Sequence, residues 1–169
     1  DVWGEGGVGA TGVSGFGQAV LSRAGVEGAL KGAPGLFLPG GHTHAGTEIA
    51  ALDLGKLETE IAALGPGITG FAVAASFATR NPAHENVARD LIRRLTGRPV
   101  TCSHELSAGL NGPRRALTAV LNARLIGMID HLISACEDHM ARRGIDAPLM
   151  VVRGDGALIS ATLARERPI

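Results

Sequence analysis

The run ITGFAVAASF at residues 68–77 constrains this chain more than any other stretch. It has the length of a strand and is apolar almost throughout, without the polar alternation of a strand that keeps one face in water. Such a strand needs cover on both faces. RPVTCS (98–103) and APLMVV (147–152) read as two further short strands, and helical segments lie between the three. Buried strands alternating with helices predict an α/β fold, a mainly parallel sheet with helices on both faces.

The helices carry their own punctuation. Asp53 is a candidate cap for a helix whose face is Leu54, Leu57, Ile61 and Leu64, ended by Pro66-Gly67. Asn81-Pro82 starts a second, with Asn as cap, Pro in the first turn, Val87, Leu91, Ile92 and Leu95 as its face, and Gly97 as its stop. Asn111-Gly112-Pro113 opens the longest, roughly 113–143, closed by Gly144. Its stripe of Leu117, Val120, Leu121, Leu125, Met128, Leu132, Cys136 and Met140 reads as core or domain interface. Ser160 caps a last short helix reaching Arg165.

The front of the chain is different. GEGGVGATG at 4–12 spells G-x-G-x-x-G twice, the pattern of a dinucleotide-binding loop. That loop needs a strand before it and a helix after it, yet only Asp1, Val2 and Trp3 precede Gly4, and Gly15 and Gly17 disturb a helix starting at Ala10. No Lys-Ser or Lys-Thr completes a P-loop, so chance spacing in a glycine-rich segment explains the pattern. Residues 1–35 are therefore expected to be irregular or mobile, with a short helix at 17–25, and residues 36–169 to form the α/β lobe. Residues 31–48 read as a loop around the apolar run Leu36-Phe37-Leu38.

Composition excludes several functions. The 169 residues amount to about one domain. Lys plus Arg and Asp plus Glu both number 16, so no basic field is available for nucleic acid. No run of about 20 apolar residues is present to span a membrane, and no basic-then-apolar leader follows Asp1. Cys102 and Cys136 lack metal spacing and read as reduced core thiols, as in a cytoplasmic chain. With Tyr absent and aromatics at 3%, the core must be aliphatic.

Few residues suggest chemistry directly, and no metal site is expected. His42 and His44 lack a third ligand and read as a solvated loop; His131 and His139 lie about 12 Å apart by helix rise and read as helix-surface residues. Ser103-His104-Glu105 and RGDGALIS (153–160) both follow strands, where the loops of a parallel sheet line a ligand crevice. The first is a candidate acid/base site. The second offers Asp155 between glycines and free amides for an anion.

Four stretches together resemble the hydantoinase/oxoprolinase family: GGHTHAGTEIAALDLGKLETEIAAL (40–64), SFATRNPAHENVARDLIRRL (76–95), TAVLNARL (118–125) and APLMVVRGDGALISATLARERPI (147–169). Asn-Pro-x-His-Glu and Val-Leu-Asn-Ala are the most specific of these motifs, and the likeness runs over about residues 36–169. The resemblance implies part of one lobe of an actin-like (ribonuclease H-like) ATPase fold. It implies ATP- and Mg²⁺-dependent opening of cyclic amides, hydantoins or 5-oxoproline, or a role in a related carboxylase. A second hydantoinase-type subunit or domain is an implied partner, and self-association is a further expectation. The family's phosphate loops would lie outside residues 1–169, so these residues alone are expected to bind no cofactor and hydrolyse no ATP.

Carried over by motif, Glu105 and Asn122 are expected near the cleft, Asp155, Gly156 and Ser160 on a loop facing it, and Arg115 or Arg114 on a substrate carboxylate. The chain departs from the family at 106–115 (LSAGLNGPRR) and at Gly154-Asp155-Gly156-Ala157, both places where a substrate would be contacted. Two other classes remain. The long helix could serve a non-catalytic interaction or scaffold domain, or the glycine-rich start could serve a small-molecule-binding module.

Overall fold

A computed structural model describes residues 7–13, 25–30, 34–64 and 67–166. The chain is α/β. In order it runs β1 (Gly7–Val13), α1 (Val26–Leu30), β2 (Gly35–Leu38), α2 (Leu54–Ala62), β3 (Ile68–Ala75), α3 (Ala83–Thr96), β4 (Val100–Cys102), α4 (Ser103–Leu106) and α5 (Gly112–Arg142), then β5 (Met150–Val152), β6 (Leu158–Ser160) and α6 (Ala161–Glu166). Four strands form one sheet in the order β2-β1-β3-β4, and every pairing in it is parallel. β5 and β6 form a separate antiparallel hairpin.

The uninterrupted apolar run is explained by β3. Phe71, Val73 and Ala75 face α2 and α3, packing with Leu57, Ile61, Ala88, Leu91 and Ile92. Ala72 and Ala74 face the opposite way, onto Ala116, Ala119, Val120 and Ala123 of α5 and onto Val26 and Ala29 of α1. The two-residue period is still there, but both faces are dry. Alanine on both sides of the second face lets α5 lie close to the sheet, a tight fit in a core with few aromatic side chains.

The local signals act as their chemistry requires. Asp53 caps α2 by accepting from the Lys56 amide at 2.9 Å, and Asn111 caps α5 by accepting from Arg114. Asn81 Oδ1 accepts from the Ala83 amide, with Pro82 in the cap position of α3. Gly97 ends α3 in the left-handed conformation, φ 65°.

Five readings need correction. Residues 7–13 were expected to be irregular; they form β1, a central strand paired on both sides, because flanking parallel strands satisfy the backbone of even a glycine-rich segment. This strand pairs with both β2 and β3, across the expected boundary at 35/36; the helix expected at 17–25 falls almost wholly outside the described residues. The buried stripe of α5 is not the expected leucine row: it is Arg115, Ala116, Ala119, Val120, Asn122, Ala123 and Ile126, while Leu121, Met128 and Leu132 are exposed. Small residues win that face because only they allow close approach to β3. On α3 the buried residues are His84, Glu85, Ala88, Leu91 and Ile92, with Val87 and Leu95 exposed. Finally, Cys102 is buried but Cys136 is exposed, and APLMVV is not a buried sheet strand: β5 is largely exposed and pairs only with β6.

By length and composition α5 alone among the described helices could cross a bilayer, but its buried face is occupied by the sheet. Burial makes opposite demands on two leucine-sized residues. Ile92→Ala should cost about 2–5 kcal/mol of stability by leaving a cavity, whereas Leu121→Ala should stay within about 0.5 kcal/mol; urea unfolding of both variants checks the assignment of the core.

Candidate functional site

The chain leaves β1 in one direction to form β2, then crosses back to form β3 and β4 on the other side. In an open parallel sheet the crevice beyond the carboxyl ends at such a reversal is where ligands bind. Here those ends carry the densest set of buried polar groups: His42, His84, Glu85, Ser103 and Arg115 are each at most 7% exposed.

Glu85 is the centre. It sits in the first turn of α3, directly behind the ends of β3 and β4, and is wholly buried. Its Oε1 accepts from the Ala75 amide at 2.7 Å and the Ser103 hydroxyl at 2.6 Å. Its Oε2 accepts from the His104 amide at 3.1 Å and His104 Nδ1 at 2.6 Å. Four donors on two oxygens is the demand of an ionised carboxylate.

Arg115 supplies the nearby positive charge. Its Nη2 donates to the Ala75 carbonyl at 3.1 Å, Nη1 to the Gly109 carbonyl at 2.7 Å, and Nε to Ser103 Oγ at 3.4 Å. Burial lowers its pKa from the usual arginine range and the Glu85 charge opposes the shift. Glu85, Cys102 and His104 bring one ligand atom each to within 4.8 Å of one another, a grouping that resembles a metal site. The chemistry is against it. The carboxylate is saturated, and burial, reinforced by Glu85 and Glu105, raises the Cys102 pKa far above the thiol range, keeping it protonated as a donor to the Glu85 carbonyl.

A second layer stacks on the first. The Gly41 amide donates to His84 Nδ1 at 2.9 Å, so His84 Nε2 carries the proton and donates to Glu48 Oε1 at 2.8 Å. Gly41 has φ 89°, a conformation glycine adopts without strain and which this loop requires. The His42 ring lies 4.4 Å from that of His84, tilted by 42°. His42 is 2% exposed and its Nδ1 finds no partner among the described residues, so it is no solvated loop residue. Burial first, and then His84, lower its pKa, with Glu48 opposing.

The residues chosen from sequence fall into separate places. Arg115 stands in the polar centre with its donors committed to the protein. Asn122 is buried beneath β4, its Nδ2 donating to Thr101 Oγ1 at 3.0 Å. Glu105 pairs with Arg89 at 3.0 Å and lines a hollow of about 480 Å³ along the open edge of β4, beside Arg93, Arg98, Asp130 and Arg165. Asp155, Gly156 and Ser160 lie elsewhere. Asp155 accepts from Arg153 and from the Ala157 amide inside the exposed hairpin turn, and Ser160 caps α6 by accepting from the Leu163 amide. The strands of that hairpin and α6 pack near Ile133 of α5, about 27 Å along the helix from Arg115 by its rise. Arg114, Arg115's neighbour, is exposed.

His84 and Glu85 were not among the residues chosen from sequence, and His42 was read there as a solvated loop residue. The signal was present in Asn-Pro-x-His-Glu: positions 84, 85, 88, 91 and 92 share one helical face, and its first two are polar.

The fold is one shared with ATP-dependent enzymes of the hydantoinase/oxoprolinase type. The ATP-dependent caprolactamase of Pseudomonas jessenii superposes with a TM-score of 0.76 over 89% of this chain at 21% identity. A nucleotide-free acetone carboxylase superposes with a TM-score of 0.62 over 94% at 18% identity. An uncharacterized protein of Methanocaldococcus jannaschii is 28% identical over 90 residues, or 53% of this chain. The chain spans 24% and 26% of the two solved structures and 13% of the archaeal protein. No protein-family model matches it.

Two outcomes follow from this geometry. Glu85→Ala leaves four donors and Arg115 without their carboxylate and should cost about 3–5 kcal/mol. Glu105→Ala breaks one partly exposed pair and should cost about 1 kcal/mol or less; denaturant unfolding compares them. Because the folded pKa of His42 lies below the ordinary value, the unfolded chain binds its proton first as pH falls. His42 should therefore lower stability on acidification below about pH 6.5, and unfolding midpoints at pH 7.5 and pH 5 should show a smaller drop in His42→Gln than in the wild type.

Proposed function

We propose that the protein carrying this lobe opens a cyclic amide at the expense of ATP, as a hydantoinase- or oxoprolinase-type hydrolase or a related carboxylase subunit, in the cytoplasm. The observation that carries the reading is the superposition with the caprolactamase over 89% of the chain. It is joined by the place of the Asn-Pro-x-His-Glu turn, whose glutamate ties together the carboxyl ends of two adjacent strands. The actin-like, ribonuclease H-like architecture belongs to the same proposal.

A ring amide resists water, and phosphorylation of its oxygen by ATP would make the carbon electrophilic. The described residues do not fit Mg²⁺: Glu85 is saturated and Glu105 is paired with Arg89. Nucleotide and metal contacts are therefore assigned to segments beyond this lobe, and no step here runs through them. What this lobe offers is rigidity. Arg115 and Glu85 lock the β3 and β4 loops against each other, so groups on those loops meet a ligand already in position.

A second reading has its own observation. Leu121, Met128 and Leu132 form an exposed apolar row on α5, which suits a scaffold domain docking on a second hydantoinase-type subunit or domain. The intact protein, incubated with Mg²⁺-ATP and hydantoin, 5-oxoproline or a lactam, should release ADP only when a cyclic amide is present, and residues 1–169 alone should release none. Stable partner binding with no amide-dependent ADP release from the intact protein would support the scaffold reading instead.

A further inference from the structure

Residues 41–49 fold back on themselves beside the turn that follows β3. His42 and Glu48 bridge as an antiparallel pair, and the Ile49 amide donates to the Gly41 carbonyl at 3.0 Å. At the tip the Thr43 amide donates to the Thr47 carbonyl at 2.8 Å, and the Gly46 amide to the Thr43 carbonyl at 2.9 Å. The segment is a closed strap whose internal bonds hold its shape independently of the surface beneath it.

Four hydrogen bonds fasten it to that surface. The His42 amide donates to the Ser76 carbonyl at 3.1 Å, and Asn81 Nδ2 to the Gly46 carbonyl at 3.1 Å. The other two meet on one imidazole. His84, in the first turn of α3, accepts from the Gly41 amide through Nδ1 at 2.9 Å and donates through Nε2 to Glu48 at 2.8 Å. The near end of the strap rests on Gly40 and Gly41, at φ 149° and 89°, two residues free to change backbone conformation.

The bond to Gly41 requires a neutral ring. In an imidazolium both nitrogens are donors, so a second proton on His84 would set Nδ1–H against the Gly41 N–H and remove that fastening. The His42 ring lies 4.4 Å away and is 2% exposed. Its Nδ1 has no partner among the described residues, so its cation would hold a buried N–H without an acceptor. Burial first, then His84, lower the His42 pKa in the fastened form, and Glu48 opposes them. The remaining charged or titratable groups nearby do not balance a charge on both rings. His44 and Arg80 are no anions, and Glu85 already accepts from four donors of its own.

We propose that residues 41–49 are an acid-released strap: protons taken up by His42 and His84 unfasten it from α3 and uncover the turn after β3. Gly46 lies against the backbone of Arg80 in that turn, and the His44 ring meets Phe77 edge-on at 6.5 Å. Release therefore opens the carboxyl end of β3 to solvent. A histidine whose pKa is lowered while fastened binds its proton more tightly once free, so release is favoured as pH falls below about 6.5 and the fastened form above it. The device rests on ring chemistry alone and stands apart from ATP-driven ring opening.

The test follows amide hydrogen exchange and imidazole ¹⁵N signals of the intact protein, without nucleotide, at pH 7.5 and pH 5. After correction for the intrinsic pH dependence of exchange, protection of the Gly41 and His42 amides should fall about tenfold or more at pH 5. Val73 in β3 should keep its protection, and the His84 ¹⁵N signals should change over the same pH range as Gly41. In His84→Gln the side chain keeps one acceptor and one donor but does not titrate, so the drop should be much smaller. His42→Gln, which removes one of the two protons, should also show a smaller drop than the wild type, and it decides the matter if His84→Gln does not fold. The assignment is overturned by unchanged Gly41 and His42 protection in the wild type, by an equal loss at Val73, which marks general unfolding, or by the full drop persisting in the variants.

Discussion

One carboxylate holds the functional end of this molecule together. Glu85 accepts from the last residue of β3, from the serine that follows β4, and from both the amide and the ring of His104. A buried anion of this kind is tolerable only if every lone pair is used and a cation stands near. Both conditions are met, because Arg115 reaches from α5 to the same strand end and the same serine. The two charges therefore tie three elements, α3, α5 and the carboxyl edge of the sheet, at the place where a parallel sheet exposes its loops. The cluster fixes the loops that follow β3 and β4.

The sheet makes that anchor possible. β3 is dry on both faces, so the loops leaving its end start from a strand packed between α3 on one side and α5 on the other. Alanines on the α5 side bring the helix axis close enough for Arg115 to reach a β3 carbonyl. A leucine row in the same place would have held the helix away. The exposed Leu121, Met128 and Leu132 are the other side of that choice.

The likeness to the caprolactamase and the acetone carboxylase concerns the fold, and each spans far more chain than is present here. Within the matched lobe, the Asn-Pro-x-His-Glu turn has a physical task that needs no catalytic role: asparagine and proline launch a helix whose first turn carries the histidine and glutamate behind two strand ends. His84 uses the same turn to bind the Gly41 amide and Glu48. Two loops distant in sequence are thus joined to α3 by adjacent residues.

What the sequence by itself determined was the kind of layer each segment enters. The unbroken run at 68–77 required two dry faces, and Asp53, Asn111 and Gly97 marked helix ends through hydrogen bonds and backbone conformations local to them. The Asn-Pro-x-His-Glu motif pointed to the right turn but not to its role. Three things were decided only in three dimensions. Gly7–Val13 became a central strand because flanking strands supplied its hydrogen bonds, a source invisible in so glycine-rich a segment. The buried face of α5 was set by how closely β3 must be approached, and hydrophobicity alone pointed to the wrong row. The site itself depended on partners 10 to 43 residues apart, such as Glu85 with Ala75 or Gly41 with His84, and contacts at that separation are fixed by packing rather than by any local pattern.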